Sequence, residues 1–199
     1  MRPKTLLEMA GATATPTHLA DSVLIVIDAQ HEYVDGKLPL SGVKAALDDI
    51  GALLTRARKA GTPVIHIQHR GRSGGAFGPD TGGFAIVDAS APASAETVIE
   101  KSLPNAFAGT TLGAAIEATG RKQLILTGFM THMCVEATAR AALDHGFKTT
   151  VVAAATATRD LPDPLTGETV PAAEIQRNAL TALSDRFATI TANAAAILD

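Results

Sequence analysis

The chain has 199 residues, enough for one well-buried α/β domain and short for two. Hydrophobic residues make up 46% and charged residues 19%, and 17 basic against 20 acidic side chains leave a net charge of −3. With no long run of either sign, this balance excludes a basic nucleic-acid footprint and a polybasic membrane anchor, and leaves a small molecule as the expected partner.

No apolar stretch approaches the length of a membrane span. The first 22 residues hold apolar runs of only two, too short for a signal-peptide core, so a cytoplasmic protein is expected. Residues 1–20 carry Pro3, Pro16 and several threonines without periodicity, and read as an extended arm ahead of a domain over 21–199.

Ser22–Asp28 is a short apolar run rich in β-branched residues, suited to a central strand buried on both faces. Residues 42–60 place Val43, Ala46, Leu47, Ile50, Leu53, Leu54 and Ala57 at helical spacing, with Gly61 as the stop. Pro63–Gln68 is the next strand, and the glycine-rich stretch 70–83 with Pro79 reads as a long mobile loop. Thr97–Lys101 is a third strand, Thr110–Thr119 a helix stopped by Gly120, and Gln123–Thr127 a fourth strand. A helix over about 132–145 follows, with Thr131 as N-cap and Gly146 behind it. Phe147–Ala154 is a strand, 170–185 a helix and Arg186–Ile190 a last strand. The alternation predicts a single three-layer α/β/α domain on a mostly parallel, six-stranded, Rossmann-like sheet.

Ligands of such sheets bind beyond the carboxyl ends of the strands. Asp28 ends the first strand, Lys101 the third, and the lone cysteine, Cys134, lies in the first turn after the fourth. A single cysteine forms no internal disulfide, and most such thiols are small buried hydrophobes. Here its neighbours suggest a nucleophile. A helix N-terminus and a nearby ammonium both favour thiolate over a thiol of ordinary pKa near ~8.5. Asp28 would take the thiol proton and later activate water, and the amides of Met130 and Cys134 would face a developing oxyanion.

Three segments, Val26–Gln30, Glu100–Phe107 and Thr127–Arg140, together resemble the isochorismatase-like cysteine hydrolases, a family that includes nicotinamidases, N-carbamoylsarcosine amidase and isochorismatase. The resemblance runs from about residue 22 to 190 and implies a catalytic triad of Asp28, Lys101 and Cys134. It also implies a cis peptide at Phe129–Met130, an aromatic near the pocket at Phe107, no cofactor, and a homodimer or homotetramer. Two features depart from it. Nicotinamidases hold a metal with an Asp-x-His pair and a further histidine, whereas here the second strand ends Val64-Ile-His-Ile-Gln-His69. His66 and His69 are an odd number apart and face opposite sides of a strand, so no metal is expected. His69 reads instead as a pocket residue and His66 as a buried histidine. Near Ala154, many relatives carry an aspartate, so a supporting contact is missing or replaced. Tyr33 and Phe77 are further pocket candidates, and the loop over 71–83 reads equally as a substrate cover or a surface loop.

These features point to hydrolysis of a C–N bond in a small non-peptide amide or carbamoyl compound through a thioester. The alternatives are vinyl-ether hydrolysis of an isochorismate-like substrate, which needs Asp28 more than the thiol, and a non-catalytic binding protein on the same fold.

Overall fold

The computed structural model describes residues 2–199. Among them, no helix is long and apolar enough to cross a membrane. The N-terminal arm is not wholly extended: α1 (Leu6–Met9) is one helical turn, closed by a capping box. Thr5 Oγ1 accepts from the Glu8 amide while the Glu8 carboxylate accepts from the Thr5 amide, a reciprocal pairing that the spacing Thr-x-x-Glu permits.

After the arm come β1 (Ser22–Ile27), α2 (Val43–Ala60), β2 (Val64–His69), β3 (Thr97–Lys101), α3 (Leu112–Ala118), β4 (Gln123–Phe129) and α4 (Glu136–Asp144). The chain ends through β5 (Lys148–Ala157), β6 (Leu161–Pro162), β7 (Thr169–Val170), α5 (Ala172–Arg186) and β8 (Thr189–Thr191). Six strands form one sheet in the order β3-β2-β1-β4-β5-β8, every neighbouring pair parallel; β6 and β7 form a separate antiparallel hairpin. All six residues of β1 are buried, as its unbroken apolar run requires at the centre of a doubly covered sheet.

Helix α2 covers one face through Ala46, Leu47, Ile50, Leu53, Leu54 and Ala57, each less than a tenth exposed. Burying a Leu or Ile fully is worth ~1.5–3 kcal/mol, so this stripe fixes the helix on the sheet more firmly than its own propensity does. Gly61 ends it in the left-handed conformation, its amide bonding the carbonyls of the last turn. The opposite face is covered by α3, α4 and α5 through Leu112, Ile116, Ala139, Ala142 and Leu183.

Parallel register aligns the strand ends into one edge. Ile27 pairs with Ile67 on one side and Gly128 on the other, and His69 pairs with Lys101. Gly128 is obligatory where β4 meets β1: its φ is +104°, and a Cβ there would lie 2.0 Å from the Ile27 carbonyl oxygen. Beyond it the Phe129–Met130 peptide is cis.

Candidate active site

Asp28, His69 and Lys101 come from strand ends, and Cys134 from the turn that follows β4. Asp28 leaves β1 with φ +50°, a left-handed conformation that aspartate tolerates better than most residues but which still costs on the order of 1 kcal/mol. Its amide donates to the Ile67 carbonyl at 2.8 Å, so the turn is anchored by β2. Lys101 ends β3, two strands away, and its long aliphatic stem carries the ammonium across the end of β2.

There the Lys101 Nζ donates to Asp28 Oδ2 at 2.6 Å, to His69 Nδ1 at 3.1 Å and to Cys134 Sγ at 3.3 Å. All three ammonium hydrogens are thereby engaged. Asp28, Lys101 and Cys134 are 0%, 3% and 4% exposed, so the cluster lies out of bulk water. Oδ1 of Asp28 is buried and has no hydrogen-bond partner among the described residues.

Burial pushes the Asp28 carboxyl above the usual carboxylate range, against the pull of Lys101. Burial, followed by the Asp28 charge, pushes the Cys134 thiol up from 9.0 to about 12. Burial and the Asp28 charge thus favour the protonated thiol at rest, against the helix N-terminus and the ammonium, which favour thiolate. The sequence placed Asp28 beside the thiol but did not show how strongly burial and its charge oppose the lysine. A carboxylate shifted upward beside a thiol that must lose its proton is nevertheless a matched acceptor.

The chain before α4 also differs from expectation. Thr131–Val135 forms a π-helical turn, and Met130, not Thr131, precedes it. The Thr131 hydroxyl donates instead to the Ala157 carbonyl at 3.1 Å, tying the turn to β5. Such π turns recur at functional sites because they displace a side chain from the regular helical surface.

An aromatic wall stands beside the cluster. Tyr33 meets Phe77 edge to face at 4.9 Å and Phe129 at 5.8 Å, and Phe77 meets the His69 ring at 5.1 Å. Phe107 lies elsewhere: its ring stacks on His145 at 4.5 Å and on Phe147 at 6.0 Å, at the opposite end of α4 from Cys134. The expected pocket position thus belongs to the core. His66 is buried, its Nε2 2.9 Å from Glu96 Oε2. His69, by contrast, faces an ammonium, which repels a cation, so the two histidines do not fit a shared metal site.

A model of the isochorismatase domain matches residues 22–195. The chain belongs to the isochorismatase family of hydrolases. A secreted isochorismatase effector from Verticillium dahliae is 35% identical over 186 residues, covering 93% of this chain and 95% of that protein. A streptothricin hydrolase from Streptomyces noursei is 39% identical over 163 residues, covering 81% of this chain and 59% of its own length. The crystal structure of an isochorismatase from Pseudomonas putida KT2440 superposes with a TM-score of 0.94 at 39% identity, covering 99% of this chain and 100% of the other.

Within this family framework, two residues carry structural weight that sequence reasoning passed over. Gln30 is fully buried: its Nε2 donates to the carbonyls of His69 and Phe84, and its Oε1 accepts from the His69 amide. Glu32, 2% exposed, accepts from the amides of Lys37 and Phe77 and thereby docks the glycine-rich loop. Gly83 makes room for it, since a Cβ there would sit 2.1 Å from Glu32 Oε2. The available signal was a pair of polar residues just past a buried strand in a chain with a glycine-rich loop still to place. Near Ala154, Asp160 supplies a carboxylate six residues later, and its Oδ1 accepts from the Ala172 amide at the start of α5.

Proposed function

We propose that this chain is a cysteine hydrolase that cleaves a C–N bond of a small non-peptide amide or carbamoyl compound through a thioester. The carrying observation is the Lys101 ammonium held between Asp28 Oδ2 at 2.6 Å and Cys134 Sγ at 3.3 Å in a buried site. Asp28 takes the thiol proton as Sγ attacks the scissile carbon, and Lys101 stays between the two charges while they exchange. The amides of Met130 and Cys134 serve the oxyanion. Collapse of the tetrahedral adduct breaks the C–N bond, and Asp28 returns the proton to the departing amine or ammonia. Water, deprotonated by Asp28, then hydrolyses the thioester and regenerates the thiol.

Relatives named maleamate amidohydrolase in Pseudomonas putida and nicotinamidase in Arabidopsis thaliana support amide chemistry. Tyr33, Phe77 and His69 pack together beside the cluster, and we take this side as the wall that a small substrate meets. A free cysteine nucleophile suits the reducing cytoplasm, and we place the enzyme there as a homodimer or homotetramer.

The test is ammonia release across primary amides, ureas and carbamoyl acids, with Cys134→Ala as control. Turnover that vanishes in the variant supports the proposal. No ammonia from any of these compounds, together with hydrolysis of an enol ether of the isochorismate type that survives Cys134→Ala but not Asp28→Asn, identifies vinyl-ether chemistry instead. That reading has its own support in the Verticillium dahliae relative, which is named an isochorismatase.

A further inference from the structure

His69 stands at the end of β2 beside the reacting cluster, yet no step above uses it. Its Nδ1 lies 3.1 Å from the Lys101 Nζ, an ammonium that only donates. Nδ1 must therefore be the bare, accepting nitrogen. The imidazole is then neutral with its proton on Nε2, and burial together with Lys101 keeps it so by lowering its pKa to about 4. The ring is fixed at both ends of its residue, because Gln30 bonds the His69 amide and carbonyl while Phe77 packs against the imidazole edge to face at 5.1 Å. Nε2–H makes no hydrogen bond among the described residues, and His69 is half-buried rather than sealed in the core.

We propose that His69 is a specificity residue, locked by Lys101 as the Nε2–H tautomer, whose N–H donates to a second acceptor on the substrate a few bonds from the scissile carbon. This deepens the hydrolase reading above and rests on it. The consequence is a substrate class: amides bearing a neighbouring carbonyl, hydroxyl or similar acceptor, rather than plain alkyl amides. A histidine in this state is also suited to the position electrostatically. Protonated, it would face the Lys101 ammonium across 3.1 Å; neutral, it adds a donor without a charge.

Two measurements test this. In protein labelled with 15N-histidine at pH 7, with His69→Asn for assignment, His69 should show a protonated Nε2 and a bare Nδ1. Protonation at Nδ1 overturns the proposal. Acetoacetamide and butanamide then serve as probes differing in one carbonyl. Added to Cys134→Ala protein, acetoacetamide should move the His69 Nε2 resonance and butanamide should not; no movement with either, or equal movement with both, overturns it. In the active enzyme, acetoacetamide should be preferred in kcat/KM by about tenfold or more, the value of one hydrogen bond. His69→Asn keeps an acceptor for Lys101 but lacks the distal donor, and should abolish that preference. His69→Gln restores a donor near the Nε2 position and should recover it; a preference unchanged in His69→Asn refutes the donor role. Should Cys134→Ala still release ammonia, the thioester reading fails by itself, while the labelled spectra still decide the state of His69.

Discussion

Replacing Asp28 by Asn should make Cys134 more reactive toward alkylation while abolishing turnover. The resting thiol is raised from 9.0 to about 12, three pH units, equivalent to about 4 kcal/mol against ionisation. Lys101 works in the other direction. At 3.3 Å from Sγ, and with an effective dielectric of about 20, its attraction for a thiolate is worth about 5 kcal/mol at most. Burial is the largest cause of the upward shift, and the Asp28 charge adds to it while Lys101 opposes it. Without the carboxylate, Lys101 offsets the burial penalty, and the thiol returns to near its ordinary 9.0. At pH 8 the thiolate fraction then rises about a thousandfold. The assay is the second-order rate of iodoacetamide modification from pH 6 to 11, followed by intact mass; the single cysteine makes the signal unambiguous. Wild-type protein should show no inflection up to pH 11, whereas Asp28→Asn should inflect near 9, with ammonia release lost. Equal rates in the two proteins would refute the claim that Asp28 holds the thiol protonated.

Lys101→Met removes one partner of an ion pair whose two side chains are fully buried, leaving an uncompensated carboxylate. The expected loss is about 3–5 kcal/mol of unfolding free energy by urea titration at pH 7, with turnover lost as well. Gly128→Ala would place a methyl 2.0 Å from a backbone oxygen at a φ that L-residues avoid, so insoluble protein or a loss exceeding ~4 kcal/mol is expected, read from soluble yield and thermal midpoint. Glu96, hydrogen-bonded first to Arg58 and also to the Ala93 amide and His66, has its pKa lowered from 4.5 to about 2. The unfolded chain binds that proton more readily, so the stabilisation is complete above pH 4.5 and is lost as pH falls toward 2. Glu96→Gln should therefore flatten the urea midpoint between pH 5 and pH 3 relative to wild type; an unchanged slope would count against the pairing.

The sheet was legible because its strands are short apolar runs separated by glycine and helical periodicity, and parallel connection leaves little freedom in where their ends gather. That placed Asp28, Lys101 and Cys134 at one edge. Side-chain distances within the edge were not legible, which is why the thiol was expected ionised although Asp28 opposes Lys101. Thr131 resembles an N-cap in sequence, but the π turn takes its hydroxyl to Ala157. Phe107 was assigned by resemblance, and its packing on His145 and Phe147 depends on α4 and β5 lying side by side. Gln30 and Glu32 look like ordinary turn residues until the loop they bind is in place.

The single amide of Gln30 has a consequence for how this scaffold changes. It grips β2 at His69 and the chain again at Phe84, so both roots of the intervening glycine-rich segment are fastened by one side chain. An antiparallel bridge between Gln30 and Ile86 reinforces the second root. Between those fixed points the constraints are few, chiefly Glu32 on the Phe77 amide and the space Gly83 leaves for it, and doubling the length of a flexible loop costs only about 0.6 kcal/mol in closure entropy. Phe77 is part of that segment, whereas Asp28, Lys101 and His69 stand at strand ends and Cys134 in the turn after β4, all outside it. The molecule thus separates a chemical edge carried by the sheet from a recognition segment fastened to it, and exchanging residues 71–82 with Gly83 retained should change substrate preference while leaving the nucleophile in place.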